Sequence, residues 1–361
     1  MKLNLVMIVK NEERTLEKCL RAAKPLVDHM IIADTGSDDA TREIASRMGA
    51  QVLEFPWIGD FSAARNFALS HSDADWNLVL DGDEILRPCS RDEIESLVRK
   101  HGQRWMGGIL QYNSYREGEE IRVSVDAIPR MLPRGIRYKG IIHEQPDTSW
   151  PCFPLPLAVD HDGYLYTDKG ERNLPYLERM VKESPGDGYC RFQLAYTLRN
   201  LKRTQESLVH FREFYRLSSP GLEYRRQGIV LYLYTLMDAG DSDSLREALA
   251  VAQKEEKELA QLSDFMFVCG LFYMKLVLSD VQRYLGYLPK IRECYLRCLE
   301  IGEQPWSRGV VGTGSFLANY NLGVWYEVSG QIEQAIRCYQ AAAEEGYEPA
   351  LRRMESLGKK V

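Results

Sequence analysis

The chain has 361 residues, 45% hydrophobic and 27% charged, with a net charge of −6, long enough for two domains that each bury a core. The acidic balance argues against duplex nucleic acid or an anionic membrane as the main partner. No apolar run approaches the roughly 18–20 residues of a membrane span.

The N-terminus offers one Lys and no small-residue cleavage site, so no secretory signal is expected. The eight cysteines show no CxxC spacing, which fits a reduced, cytoplasmic setting. Cys294 and Cys298 stand i, i+4 in a helical pattern and read as buried free thiols rather than zinc ligands.

The first half alternates strand and helix patterns. "LNLVMIV" (3–9) is a buried strand, and Asn11 is an N-cap candidate for a helix carrying Leu16, Leu20 and Ala23. "HMIIAD" (29–34) is a second strand, "REIASRMGA" a short helix closing at Gly49, and "QVLEF" (51–55) a third strand. "FSAARNFALSHS" is a helix and "WNLVL" (76–80) a fourth strand. This order predicts βαβ units and a mostly parallel α/β sheet, in which ligands bind beyond the carboxyl ends of the strands. Polar clusters fall at those ends: "KNEE", "DTGSDD", the segment after "EFPW", and "DGDE".

From about residue 173 the strand patterns stop and paired helical stretches continue to the C-terminus. Residues 192–214 carry Leu194, Ala195, Leu198, Phe211 and Phe214. Residues 320–342 carry Leu322, Gly323, Tyr326, Ala335, Tyr339 and Ala342. Both follow the tetratricopeptide rhythm of small and aromatic positions, with weaker pairs between them, so about four stacked helical hairpins are expected. The expected boundaries are 1–170 for the α/β domain and 171–361 for the helical one.

The chemistry concentrates at the strand ends. No P-loop and no GxGxxG follows the first strand. Asp34 could accept hydrogen bonds from a nucleobase or ribose, or simply begin an Asx-turn at "DTGS". Asp81, Asp83 and Glu84 repel one another, which bulk water at a surface turn or a bound cation would relieve. On an extended segment Asp81 and Asp83 would face one side, two hard ligands for Mg²⁺ or Mn²⁺.

Arg65, with Asn66 beside it, could clamp a diphosphate or pair with Asp60 or Asp83. "RYKGIIHEQP" places His143 and Glu144 at a strand end, and "VDHDGY" adds His161. Glu144 could act as a general base. Lys169 and Arg172 are diphosphate partners or a solvated loop.

"MIVKNEERTLEKCL", "DTGSDDAT", "DFSAARNFAL" and "LVLDGDE", in that order, resemble family-2 glycosyltransferases of the GT-A fold. With "IHE", "HDGY" and tetratricopeptide-like helices added, the chain is similar to bacterial peptide or protein glycosyltransferases of the S-glycosyltransferase type.

The resemblance implies a UDP-sugar donor, a divalent metal (Mn²⁺ or Mg²⁺) and an inverting displacement. Val9 and Glu12 would line the nucleotide pocket, Asp34 would hold the base, and Arg65 would approach the base or diphosphate. Asp81 would meet the ribose and Asp83 the metal, with His161 a further metal or phosphate contact and Lys169 near the diphosphate. Glu144 would be the base. Gly82 stands where Ala is usual, a change expected to keep the geometry.

A concave helical stack favours a peptide or protein acceptor, through Ser, Thr or Cys, although the repeats could instead pair two copies in a homodimer. A lipopolysaccharide or cell-wall glycan acceptor is the alternative, and a non-catalytic scaffold the third reading.

Overall fold

The computed structural model describes residues 1–102, 104–117, 120–163 and 170–358. Lys169 lies outside the described residues. Two compact units divide the chain, Met1–Tyr176 and Leu177–Val361.

In the first unit the strands are β1 (Leu3–Val9), β2 (His29–Asp34), β3 (Gln51–Glu54), β4 (Trp76–Val79), β5 (Glu84–Leu86), β6 (Met106–Glu117), β7 (Glu120–Pro133) and β10 (Cys152–His161). A small separate hairpin pairs β8 (Tyr138–Lys139) with β9 (Gln145–Pro146). The main sheet runs β3-β2-β1-β4-β7-β6-β10-β5. Its first four strands are parallel, as the βαβ pattern predicts. The far half is mixed: β7 is antiparallel to β4 and β6, and β10 is parallel to β6 and antiparallel to β5.

Every residue of β1 is buried, because apolar groups cover both faces of the sheet. Leu16, Cys19, Leu20 and Ala23 of helix α1 (Leu16–Ala23) recur at helical spacing and join Leu5, Met7 and Leu78 on one face. Ala64 and Ala68 of α3 (Phe61–Ser70) pack with Val6, Ile8 and Val79 on the other. Helix α2 covers Thr41–Arg47 and α4 Arg91–His101. Asn11 is not the N-cap of α1. It sits at φ +55, and the helix begins at Leu16, four residues past the position that the Asn-based reading gave.

The second unit consists mainly of helices. Its hairpins pair Gly188–Asn200 with Thr204–Leu217, Glu223–Ala239 with Ser242–Leu259, Ser263–Ser279 with Leu288–Ile301, and Phe316–Val328 with Ile332–Glu344. Their apolar faces merge into one core that includes Phe211, Phe214, Tyr232, Phe265, Tyr295 and Tyr339. Small residues receive the large rings: a Cβ on Gly323 would lie 2.7 Å from the Tyr339 ring, and one on Gly270 the same distance from Tyr295. For Phe214 the small partner is Gly228 of the next hairpin.

An added Cβ at Gly228 would fall 2.2 Å from a fully buried ring. Gly228→Ala is therefore expected to destabilise by about 1–2 kcal/mol, overpacking outweighing the roughly 1 kcal/mol helix-propensity gain; an unchanged denaturation midpoint would refute that packing.

No described helix is long and apolar enough to cross a membrane. All eight cysteines are free, with Cys294 and Cys298 buried.

Candidate active site

The polar clusters after β1, β2 and β4 meet at the carboxyl edge of the sheet. Val9 ends β1, and its carbonyl accepts from the Thr35 amide (2.9 Å) and hydroxyl (3.1 Å), tying the two loops together. The Glu12 amide donates to Thr41 Oγ1 at 2.7 Å, and Glu12 Oε2 accepts from Thr15 Oγ1 at 3.0 Å. The Glu12 side chain lies over Gly82, where a Cβ would meet Glu12 Cγ at 2.8 Å. An alanine at 82 would push Glu12 aside, so Gly82 is matched to Glu12 rather than a neutral departure.

Asp34 is 2% exposed. Its Oδ1 accepts from the Gly36 and Ser37 amides at 3.1 and 3.0 Å, which is the Asx-turn. Its Oδ2 is buried with no partner. One oxygen builds the loop and the other is left to accept a hydrogen bond, and such an unmet buried acceptor costs about 1–3 kcal/mol.

The acidic segment is a turn, not the extended stretch expected. β4 stops at Val79, and the Glu84 amide donates to the Asp81 carbonyl at 3.1 Å. The turn sends the two aspartates to different partners. Arg65 Nη2 donates to Asp81 Oδ1 at 2.6 Å and Arg130 Nη2 to Asp81 Oδ2 at 2.7 Å. Burial alone would raise the Asp81 carboxyl, but the two guanidiniums hold it well below the usual carboxylate range.

Glu84 is fully buried, accepting from the Asp81 amide (2.9 Å), Arg130 (2.7 Å) and Gln111. Burial pushes its carboxyl up and the neighbouring Asp81 charge adds to this, against the pull of Arg130. Glu84 thus braces the turn.

Asp83 faces His161. Asn113 donates its amide to Asp126 Oδ2 at 2.9 Å and so turns its carbonyl oxygen to His161 Nδ1, 2.7 Å away. That bond places a proton on Nδ1 and leaves Nε2 3.2 Å from Asp83 Oδ2. A neutral imidazole would set two acceptors face to face, an arrangement that requires a shared proton or cation.

The donor set fits a divalent ion. Asp83 supplies a hard oxygen, and His161 a nitrogen whose orientation is set by its Nδ1 partner, as at metal-bound histidines. Among the described residues no group of three or more His, Cys, Asp or Glu is placed to hold a metal ion, so the protein's own contribution there is the Asp83–His161 pair.

Arg65 links the turn to Glu144. Its Nε donates to Glu144 Oε1, its Nη1 is buried without a partner, and its guanidinium lies over the Tyr138 ring at 5.6 Å. It pairs with neither Asp60 nor Asp83: Asp60 caps α3 by accepting from the Ala63 amide at 2.9 Å, and Asp83 is engaged by His161. Asn66 holds the neighbouring β8 through both its amide groups to the Tyr138 backbone, each 2.8 Å. Consecutive residues of α3 therefore fix the hairpin that presents Glu144 and reach its carboxylate.

The structure thus brings Glu12, Asp81, Asp83, Arg65, Glu144 and His161 into one linked set, with Val9 and Asp34 at the adjoining loop. Arg130, Gln111, Asn113 and Asp126, all from the β6–β7 hairpin, escaped the sequence reading. The one signal for them was a charged residue, Arg130, inside an apolar strand segment.

The first unit is thus an α/β domain with an acidic turn at the carboxyl end of β4. Residues 5–149, which lie within the first unit, match the family model described as Glycosyl transferase family 2.

A TPR repeat-containing protein of Synechococcus elongatus is 32% identical over 206 residues, 52% of this chain and 49% of that protein. The SPbeta prophage-derived glycosyltransferase SunS of Bacillus subtilis is 24% identical over 226 residues, 57% of this chain and 51% of SunS. The crystal structure of glucosyl-3-phosphoglycerate synthase from Mycobacterium tuberculosis with Mg²⁺ and uridine diphosphate matches at 26% identity and a TM-score of 0.25, covering 33% of this chain and 45% of that one. The chain spans about half the length of the curated relatives it matches.

Proposed function

We propose that the chain is a metal-dependent, inverting glycosyltransferase that moves a hexose from a UDP-sugar to a Ser, Thr or Cys side chain of a peptide or protein. The observation that carries this is the pairing of Asp83 Oδ2 with His161 Nε2 at 3.2 Å beyond the carboxyl end of β4. A divalent cation bound there would supply Lewis-acid stabilisation of the departing diphosphate.

The other groups have separate tasks. Asp34 Oδ2 accepts a hydrogen bond from the base, with Val9 and Glu12 lining the pocket. Asp81 accepts from the ribose hydroxyls. The unpartnered Nη1 of Arg65 donates to the diphosphate. Because Arg65 occupies Oε1 of Glu144, Oε2 is the oxygen left to take the acceptor proton as the bond from the sugar carbon to the diphosphate oxygen breaks and the bond to the acceptor forms. An acceptor thiol, with an ordinary pKa of about 8.5, needs that base less than a hydroxyl does. The stacked hairpins of the second unit favour a polypeptide acceptor, and pairing of two copies is the other use such a surface supports.

A scaffold would have no use for a buried, unmet acceptor at Asp34. A thermal-shift panel of nucleotide diphosphates and sugars with Mn²⁺, Mg²⁺ or EDTA tests the donor site. At about 100 times its dissociation constant a ligand adds about 2.7 kcal/mol to the folded state. Cation-dependent stabilisation by a UDP-sugar is expected; no shift with any nucleotide would sink the reading.

A further inference from the structure

Arg130 owes its place to a break in the sheet. Pro129 sits inside β7 without an N–H to give to the ladder, and proline within a sheet is confined to edges and bulges. The pairing of β6 with β7 shows the break: Gly107 stands opposite Met131, and Gly108 opposite Pro129, so Arg130 is an extra residue on its strand. Bulges re-aim side chains. Gly107 permits the crowded packing opposite, since a Cβ there would lie 2.3 Å from Leu155 Cδ1 and 2.9 Å from Met131 Cβ.

The re-aimed guanidinium enters the acidic turn. Its Nη2 bridges Asp81 Oδ2 and Glu84 Oε1, both at 2.7 Å, and the side chain is 12% exposed. Since Arg65 holds Asp81 Oδ1 at 2.6 Å, both oxygens of one carboxylate are gripped and its plane is fixed. Each oxygen retains a second lone pair, and Asp81 remains one-third exposed. A carboxylate tethered on both oxygens and open on one side is suited to receive hydroxyl groups at set positions.

We propose that Arg130 is a positioning residue: through its bridge to Asp81 it sets the carboxylate that receives the ribose hydroxyls of a nucleoside diphosphate. This rests on the donor reading above. A plainer role, neutralising buried Glu84, would make Arg130 matter for folding without making it matter for ribose recognition.

Two nucleotides separate these roles: uridine diphosphate and 2′,3′-dideoxyuridine diphosphate, titrated with Mn²⁺ into the full chain by calorimetry. The unmodified protein is expected to prefer uridine diphosphate by about 10-fold or more, the scale of a hydrogen bond to a charged group. In Arg130→Met and Arg130→Lys that preference should shrink to about 3-fold or less, while affinity for the dideoxy nucleotide changes little.

Equal loss of both affinities, with the preference intact, would overturn the proposal, and so would a preference that Arg130→Lys preserves in full. Arg130→Lys keeps the charge beside Glu84 and decides the matter if Arg130→Met does not fold. An unmodified protein that binds both nucleotides equally also overturns the proposal, whereas one that binds neither removes the donor reading itself.

Discussion

Asp83→Asn is expected to abolish cation-dependent stabilisation by nucleotides and to lower sugar transfer by at least about 100-fold. Replacing residues that merely orient metal ligands already costs 10–100-fold, and here the oxygen closest to His161 Nε2 would lose its charge. The fold should not suffer. Asp83 shares its turn with Asp81 and Glu84, so removing one charge relieves repulsion. The ligand-free melting temperature should stay level or rise, as at sites where function is kept at some expense of stability. Nucleotide binding that keeps its full response to Mn²⁺ in the variant would remove Asp83 from the cation site.

Glu255→Ala should strongly destabilise the helical unit. Arg225 donates to both oxygens of Glu255, at 2.8 and 2.9 Å, and to the Ser218 carbonyl at 3.3 Å, while Tyr215 adds a 2.7 Å bond to Glu255. The two charged side chains are 6% and 4% exposed. Truncating one partner leaves the other buried and uncompensated, which costs about 3–5 kcal/mol. In a domain of this size that lowers the melting temperature by on the order of 10 °C. Replacing both by methionine should cost much less than the single change, because apolar substitutes remove the desolvation penalty together with the pair. A double variant as unstable as Glu255→Ala would show that the pair itself, rather than its desolvation, carries the stability.

Much of the architecture was legible in residue order. The continuous apolar run of β1 and the helical spacing of Leu16, Leu20 and Ala23 are local signals that the folded chain obeys. The polar clusters could be assigned to strand ends because parallel βαβ units put those ends together. The aromatic and small positions of the repeats were equally readable, since Gly323 and Tyr339 belong to one hairpin. The β6–β7 hairpin was not legible: Pro129 argues against an internal strand, and only the bulge reconciles it with one. The Asn11 cap failed because the loop needs Asn11 at positive φ, with its Oδ1 accepting from the Asp38 amide, before the helix can start.

By itself the sequence determined which residue types reach the carboxyl edge of the sheet: carboxylates after β2 and β4, a guanidinium on α3, and a histidine closing β10. It did so because strand periodicity and turn residues act over a few positions. Tertiary structure alone decided how those groups pair. Asp81 went to Arg65 and Arg130, and Asp83, two residues on, to His161. A carboxylate takes the partner that the neighbouring strands bring within reach. That choice depends on sheet order, on a tight turn at 81–84 and on one bulge at Arg130, features set by packing between segments distant in the chain.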